Sequence, residues 1–135
     1  MIAKLPDGAI YFEQCSYQFL EQDDIDNIPA AMQESMWTAI ACPPGPLVAG
    51  PNGKEILRDG AKKLRQETDR AIIGLFGGNL LEMGQFLYRN DHFFMLLAGE
   101  PRRAHEFLDR VVEMHLKNLE SFLGCVGEYI DVILF

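Results

Sequence analysis

Apolar positions recur through the last third of the chain at a spacing that only a helix satisfies. Ala104, Phe107, Leu108, Val111, His115, Leu119, Phe122 and Val126 fall on one face for about six turns. Glu100-Pro101 opens this helix, with proline where its missing N–H costs nothing. Gly124 and Gly127 mark its end. Upstream, residues 71–76 (AIIGLF) form a short, nearly all-apolar run with no polar alternation, the pattern of a strand covered on both faces and usually parallel. Shorter helices are predicted over 80–87 and around 91–97, and the terminal "YIDVILF" predicts a second strand. Strand, helices, strand is a βαβ unit, and a crossover of that length implies parallel strands. The chain stops inside its second strand, which leads to the expectation of truncation.

The first half is less regular. Asp7-Gly8 is a turn pair, and the β-rich aromatics of residues 8–20 predict a strand or hairpin arm, with Ile10, Phe12 and Cys15 alternating against Tyr11 and Glu13. Asp23, Asp24 and Asp26 lack the glycine and terminal Glu of a calcium loop, so a capped helix start or a surface turn is expected there. Pro29 suits a first helical turn, and residues 30–41 predict a helix with Met32, Met36, Trp37 and Ile40 on one side. Residues 43–53 (PPGPLVAGPNG) are a Pro/Gly connector. From Lys54 a helix is predicted, fading near Thr68 or Asp69, with Ile56, Leu57, Ala61 and Leu64 inward and Lys54, Arg58, Lys62 and Arg65 pointing elsewhere. The expected organisation is a single partial domain over 1–135: an arm and short helix (1–42), the connector (43–53) and an α-β-α-β segment (54–135).

Composition narrows the function classes. A net charge of −8 argues against nucleic acid and anionic membranes, since phosphate binding needs a positive field. The densest basic cluster, Lys62, Lys63 and Arg65, reads as the solvated face of a helix. Three widely spaced cysteines, Cys15, Cys42 and Cys125, fit a reducing cytoplasm better than a disulfide framework. No apolar run approaches the length of a membrane span, and no leader pattern opens the chain. His115 lies on the apolar stripe and reads as a satisfied core or interface histidine, His105 as surface, and Cys125 as a buried thiol.

The candidate chemistry sits where the predicted strand at 71–76 meets Gly77 and Gly78. Asn79 follows, and Glu82 and Gln85 share one face of the next helix at i, i+3. Glycines there allow backbone to approach a ligand, and a helix N-terminus offers unpaired donors to a carboxylate or phosphate. A tight turn with Glu82 and Gln85 on the helix surface is the competing reading. Neither a Gly-Lys-Ser/Thr nor a Gly-x-Gly-x-x-Gly pattern is present, so a nucleotide cradle is a poor alternative.

Residues 69–135, from "DRAIIGLFGGNLLEMGQFLYRN" through "EYIDVILF", resemble an internal segment of the uroporphyrinogen decarboxylase family. That family includes porphyrinogen decarboxylases and zinc-dependent corrinoid methyltransferases, and "DGAIYFEQ" resembles the hairpin arm of its methyltransferase-like branch. The resemblance implies a partial (β/α)8 TIM-barrel fragment within the α/β class, a parallel βαβ unit preceded by the arm. Ligand chemistry would lie at the strand C-terminal ends. It implies substrate-binding roles for Gly77, Gly78, Asn79, Glu82 and Gln85, and a tetrapyrrole or a methyl donor with its corrinoid as the small-molecule partner of a parent enzyme. Zinc and a corrinoid would belong to that parent, with no metal or cofactor held by this segment, because the His-x-Cys and later Cys of the zinc members lie in the other half of the barrel. His92, His105 and His115 have no partner cysteine at ligand spacing. The sequence departs from the decarboxylating members, lacking the early arginine loop and its aspartate. Where those members carry a tyrosine it has Gln85 or Phe86. A second class of function stays open: a non-catalytic, self-associating module, forming a homo-oligomer because a partial barrel leaves strand edges and apolar faces uncovered.

Overall fold

A computed structural model describes residues 1–21, 24–35 and 51–135. The elements run β1 (Ala3–Lys4), β2 (Glu13–Gln14), a 3-10 turn (Ile25–Asn27), α1 (Ile28–Gln33), α2 (Gly53–Glu67), β3 (Ile73–Leu75), α3 (Leu80–Tyr88), α4 (Asn90–Gly99), α5 (Pro101–Val126) and β4 (Val132–Leu134). The architecture is mixed α/β with two small two-stranded sheets, and the described residues contain no closed barrel. They divide into two compact units. One takes the described residues up to 35 with Leu80–Glu113; the other takes residues 51–79 with Met114–Phe135.

In the first unit β1 pairs antiparallel with β2, Ala3 opposite Gln14 and Lys4 opposite Glu13. The Asp7-Gly8 turn is as expected, with Gly8 at φ +78°. The arm differs from the sequence reading in its strand. Pairing at β2 is confined to Glu13–Gln14, and Ile10 and Phe12 are 96% and 60% exposed. A ladder two residues long presents no face on which alternation can bury a side chain. The arm is anchored instead by Phe19, whose ring meets Tyr88 edge-on at 5.3 Å and whose N–H donates to the Leu87 carbonyl at 2.9 Å. The core around it is aromatic. Tyr88 stacks on Phe93 with ring centroids 6.0 Å apart, and Phe107 presents its ring edge-to-face to Tyr88 at 5.2 Å and to Phe93 at 5.7 Å. Such pairs contribute about 0.5–1.5 kcal/mol each beyond burial. Gly84, inside α3, lies so close to Phe93 that a Cβ there would sit 2.2 Å from the ring. Asp26 takes no part in a calcium loop; it pairs with Arg110 at 3.1 Å. α1 starts two residues before the predicted helix, with Pro29 in its first turn. α1 ends at Gln33, so Glu34 and Ser35 of the predicted helix fall outside it. Residues 36–41 of that prediction and the connector up to residue 50 lie outside the described residues, as does Asp23.

In the second unit β3 and β4 pair in parallel, Ile73 opposite Val132, Gly74 opposite Ile133 and Leu75 opposite Leu134. Phe76, Phe122, Cys125 and Val126 form the core, and Leu57, Ala61, Leu119, Ile130 and Ile133 pack on it. Gly74 is closely approached: a Cβ there would lie 2.7 Å from Ile130 Cδ1 and 3.2 Å from Phe122 Cζ, so those side chains would have to shift. The strand read as covered on both faces is covered on one. Ile72, Gly74 and Phe76 point into the core, whereas Ile73 and Leu75 are 62% and 47% exposed.

α2 also departs from expectation. Ile56 is 70% and Leu64 48% exposed, because the inward track runs through Leu57, Ala61 and Arg65 at i, i+4. Arg65 is therefore not part of a solvated basic face. Its guanidinium donates to the Tyr129 carbonyl at 2.9 and 3.1 Å and pairs with Asp131, whose Oδ2 also accepts the Ile72 N–H at 2.8 Å. This clamp ties the end of α2 to the starts of both parallel strands. The α5 stripe is as the spacing predicts: Ala104, Phe107, Val111, His115, Phe122 and Val126 are buried, and Leu108 and Leu119 half-buried.

Candidate functional site

β3 delivers the chain to the glycine pair. Its last register partner is Leu134, whose carbonyl accepts N–H bonds from Phe76 at 2.9 Å and from Gly77 at 3.2 Å. With Gly77 held this way, the turn that follows needs two consecutive residues in the left-handed region. Gly77 sits at φ +83° and Gly78 at φ +84°, a conformation a side chain strongly disfavours. Room is short as well, since a Cβ on Gly78 would lie 3.0 Å from Phe76 Cε1 and 3.9 Å from His115 Cγ. The loop is thus shaped by backbone need, and the exposed Asn79 leaves it toward α3.

His115 lies beside this loop. Only 7% of it is exposed, and neither Nδ1 nor Nε2 has a hydrogen-bond partner among the described residues. The satisfied histidine expected from the stripe is therefore buried but not satisfied. Burial pushes its pKa below the ordinary 6.5, so the ring is neutral at pH 7. Its closest aromatic neighbour is Phe76, edge-to-face at 6.5 Å. A neutral imidazole carries one donor and one acceptor, and here both are unspent.

Glu82 and Gln85 belong to the first unit, one turn apart on α3, and both are half-buried. The structure brings them together with residues of the arm. A cavity of about 410 Å³ is lined by Glu82, Gln85, Phe86 and Asn90 on the helical side and by Glu13, Gln14 and Tyr17 on the arm side. The arm is tied down at this point by Gln14, whose Nε2 donates to the Phe86 carbonyl at 2.7 Å.

No family model, curated protein or solved structure matches the chain.

The described residues hold no group of three or more His, Cys, Asp or Glu side chains placed to bind a metal ion. They include no helix long and apolar enough to cross a membrane. Cys125 is a buried free thiol, and Cys15 is exposed. Sequence reasoning missed Glu13, Gln14, Tyr17 and Asn90 as neighbours of Glu82 and Gln85. For Glu13, Gln14 and Tyr17 nothing in the local pattern signals it, because they are about 70 positions from Glu82 and Gln85, as the Gln14–Phe86 bond spans 72. Asn90 was within local range, at the start of the next helix.

Proposed function

We propose that the chain is a segment of a (β/α)8 barrel of the uroporphyrinogen decarboxylase type, from a parent that acts as a decarboxylase or a cobalamin-dependent methyltransferase. One observation carries this reading: β3 and β4 pair in parallel across a helical crossover, and the glycine loop leaves β3 at its C-terminal end. Barrel enzymes place their ligands at that end of the strands. Two parallel strands are a quarter of an eight-stranded ring, so the segment alone is inert in catalysis while retaining part of a ligand surface. Gly77, Gly78 and Asn79 on the loop are the substrate-facing residues of this reading in the second unit, and Glu82 and Gln85 on α3 those in the first. The substrate class is a tetrapyrrole or a methyl donor with its corrinoid, in a reducing cytoplasm. Zinc is not assigned to residues of this chain, whose described part offers no donor set for it.

The test is titration of the chain with uroporphyrin and, separately, with methylcobalamin, followed by quenching of its single tryptophan. Saturable binding of either, lost in Gly78→Val, is expected. Absence of saturable binding to both refutes the reading.

A specific observation also favours the second reading, a self-associating module. Ile73, Leu75, Val132 and Leu134 stand on one face of the parallel pair, in register, and each is 47–62% exposed. Phe135 does not belong to this face; its ring lies edge-on to the core residue Phe76 at 5.8 Å. A second copy covering this face would remove it from water, as large exposed apolar patches require. Sedimentation is expected to show a dimer or larger assembly, reduced by Leu75→Lys. A compact monomer at micromolar concentration rejects it.

A further inference from the structure

We infer that Asn52-Gly53, at the start of α2, is a site of spontaneous backbone modification, where the chain converts to isoaspartate and becomes a substrate for the class of enzyme that methylates isoaspartyl carboxylates. The inference does not rest on the barrel reading, because it concerns one dipeptide of the second unit and no ligand.

The reaction needs a side-chain amide, a backbone nitrogen that can reach it and a main chain able to turn. Asn27, Asn79, Asn90 and Asn118 precede Ile28, Leu80, Asp91 and Leu119, whose side chains crowd the nitrogen that would attack. Asn52 precedes glycine, which has no Cβ to obstruct the approach.

The structure leaves the dipeptide uncommitted. Asn52 is exposed and holds the N-cap position of α2 at φ −119° and ψ 15°, yet its side chain makes no capping hydrogen bond. An N-cap asparagine ordinarily spends its side-chain oxygen on an N–H two or three residues on; here that amide is not tied to the helix. Gly53 stands at the first helical position, where the N–H has no acceptor within the helix. Ring closure requires rotation about the Asn52 Cα–C bond. The Ile56 N–H, which donates to the Asn52 carbonyl at 2.9 Å, resists it. Gly53 is also buried, so the reaction proceeds from an opened first turn. That opening costs little, since helix ends fray and this one has glycine at its first position and no side-chain cap.

The Gly53 nitrogen attacks Asn52 Cγ. The N–Cγ bond forms, the Cγ–Nδ2 bond breaks, and the N–H proton leaves with Nδ2 as ammonia. Water then opens the cyclic imide: at Cγ it gives aspartate, and at the backbone carbonyl carbon it leaves the main chain running through Cγ, which is isoaspartate. The products differ in what they do to α2. Aspartate is an equally good N-cap and adds a charge that the helix dipole favours. Isoaspartate inserts a methylene into the main chain and displaces the carbonyl that receives the Ile56 N–H, loosening the turn that carries Leu57 onto the core.

Incubation of the full chain at neutral pH, in buffer and in urea, tests this, with peptide mapping by mass spectrometry and enzymatic methylation of isoaspartate as readouts. Position 52 is expected to convert in buffer at a rate within about tenfold of that in urea, with isoaspartate among the products, while the other asparagines stay amides. Gly53→Ala should slow conversion severalfold in both solvents, the urea arm being independent of whether the variant folds. The aged chain should melt below the fresh one and Asn52→Asp at or above it, which separates isoaspartate from added charge alone. A rate in buffer more than about tenfold below that in urea overturns the inference. So does faster conversion at another asparagine, Gly53→Ala converting as fast as the parent, or an isoaspartate-bearing chain that melts with the fresh one.

Discussion

Replacing Gly84 by alanine is expected to destabilise the protein, although the same change in an ordinary helix is favourable. In an unconstrained helix interior, Gly→Ala contributes about 1 kcal/mol of stability. At Gly84 the new Cβ would lie 2.2–2.4 Å from three atoms of the Phe93 ring, where ordinary contact begins at 3.4 Å. Something must therefore move by about 1 Å. Phe93 has little freedom to do so, being 1% exposed, stacked on Tyr88 and edge-on to Phe107. Overpacking of this kind costs about 1–3 kcal/mol, and the boxed ring places this site at the upper end. Set against the helix gain, the net loss is about 2 kcal/mol, or about 8 °C in melting temperature for a chain of this size. Gly60 is the matched control. It lies within α2 with nothing inside 4 Å of its Cβ position, so Gly60→Ala should raise stability by up to about 1 kcal/mol. Urea denaturation followed by circular dichroism measures both. A double-mutant cycle with Phe93→Leu adds the cause. Trimming the ring should cost less in the Gly84→Ala background than in the parent, with a coupling of about 0.5–3 kcal/mol. If Gly84→Ala melts at or above the parent while Gly60→Ala behaves as stated, the packing argument around Phe93 is refuted.

Two further outcomes follow from titratable groups. His115 has a pKa depressed by burial, so between its unfolded value of 6.5 and the lower folded value the unfolded chain binds the extra proton. Its effect on stability is independent of pH above 6.5, and stability falls as the pH drops from 6.5 toward the lower folded value. His115→Leu should flatten this acid loss and raise stability by about 1 kcal/mol or more at pH 7, since two orphaned ring nitrogens disappear; a pH–stability profile identical to the parent's would reject this. Asp131 is held below its usual 3.8, first by the Arg65 guanidinium and then by the Ile72 N–H. The stability it provides is present above that value and lost as the pH falls through the lower folded pKa, so Asp131→Asn should weaken the fold at pH 7 and shorten the acid limb, read by thermal melts at pH 2–7.

The helices were legible in the sequence because their signals are local. Pro101 at the start, eight inward positions at helical spacing and Gly127 at the end define α5 without reference to any other element. The pairing of β3 with β4 was legible from the all-apolar runs and the length of the helical return. What escaped is non-local. Aromatic content suggested a real strand in the arm, yet Ile10 and Phe12 have no partner surface, and the anchor is Phe19 on Tyr88. Arg65 reads as surface by residue type, and only Tyr129 and Asp131 explain its half-burial. Of the five residues singled out for binding, Gly77 and Gly78 show their need in φ, and Glu82 and Gln85 converge on a cavity. The arm-side wall of that cavity is invisible to periodicity, because Glu13, Gln14 and Tyr17 reach it through tertiary contact alone.

The Asp131 clamp has a kinetic consequence. It joins Ile72 and Asp131 across 59 positions, so neither the sheet nor its arginine bridge can form until the whole helical return is in place. Non-local pairing of this sort slows folding. During that wait β3 offers an apolar, unpaired edge to any other chain nearby. Productive folding therefore competes with intermolecular strand capture, and dilution, or slower delivery of chains into the refolding mixture, should increase the yield of native protein.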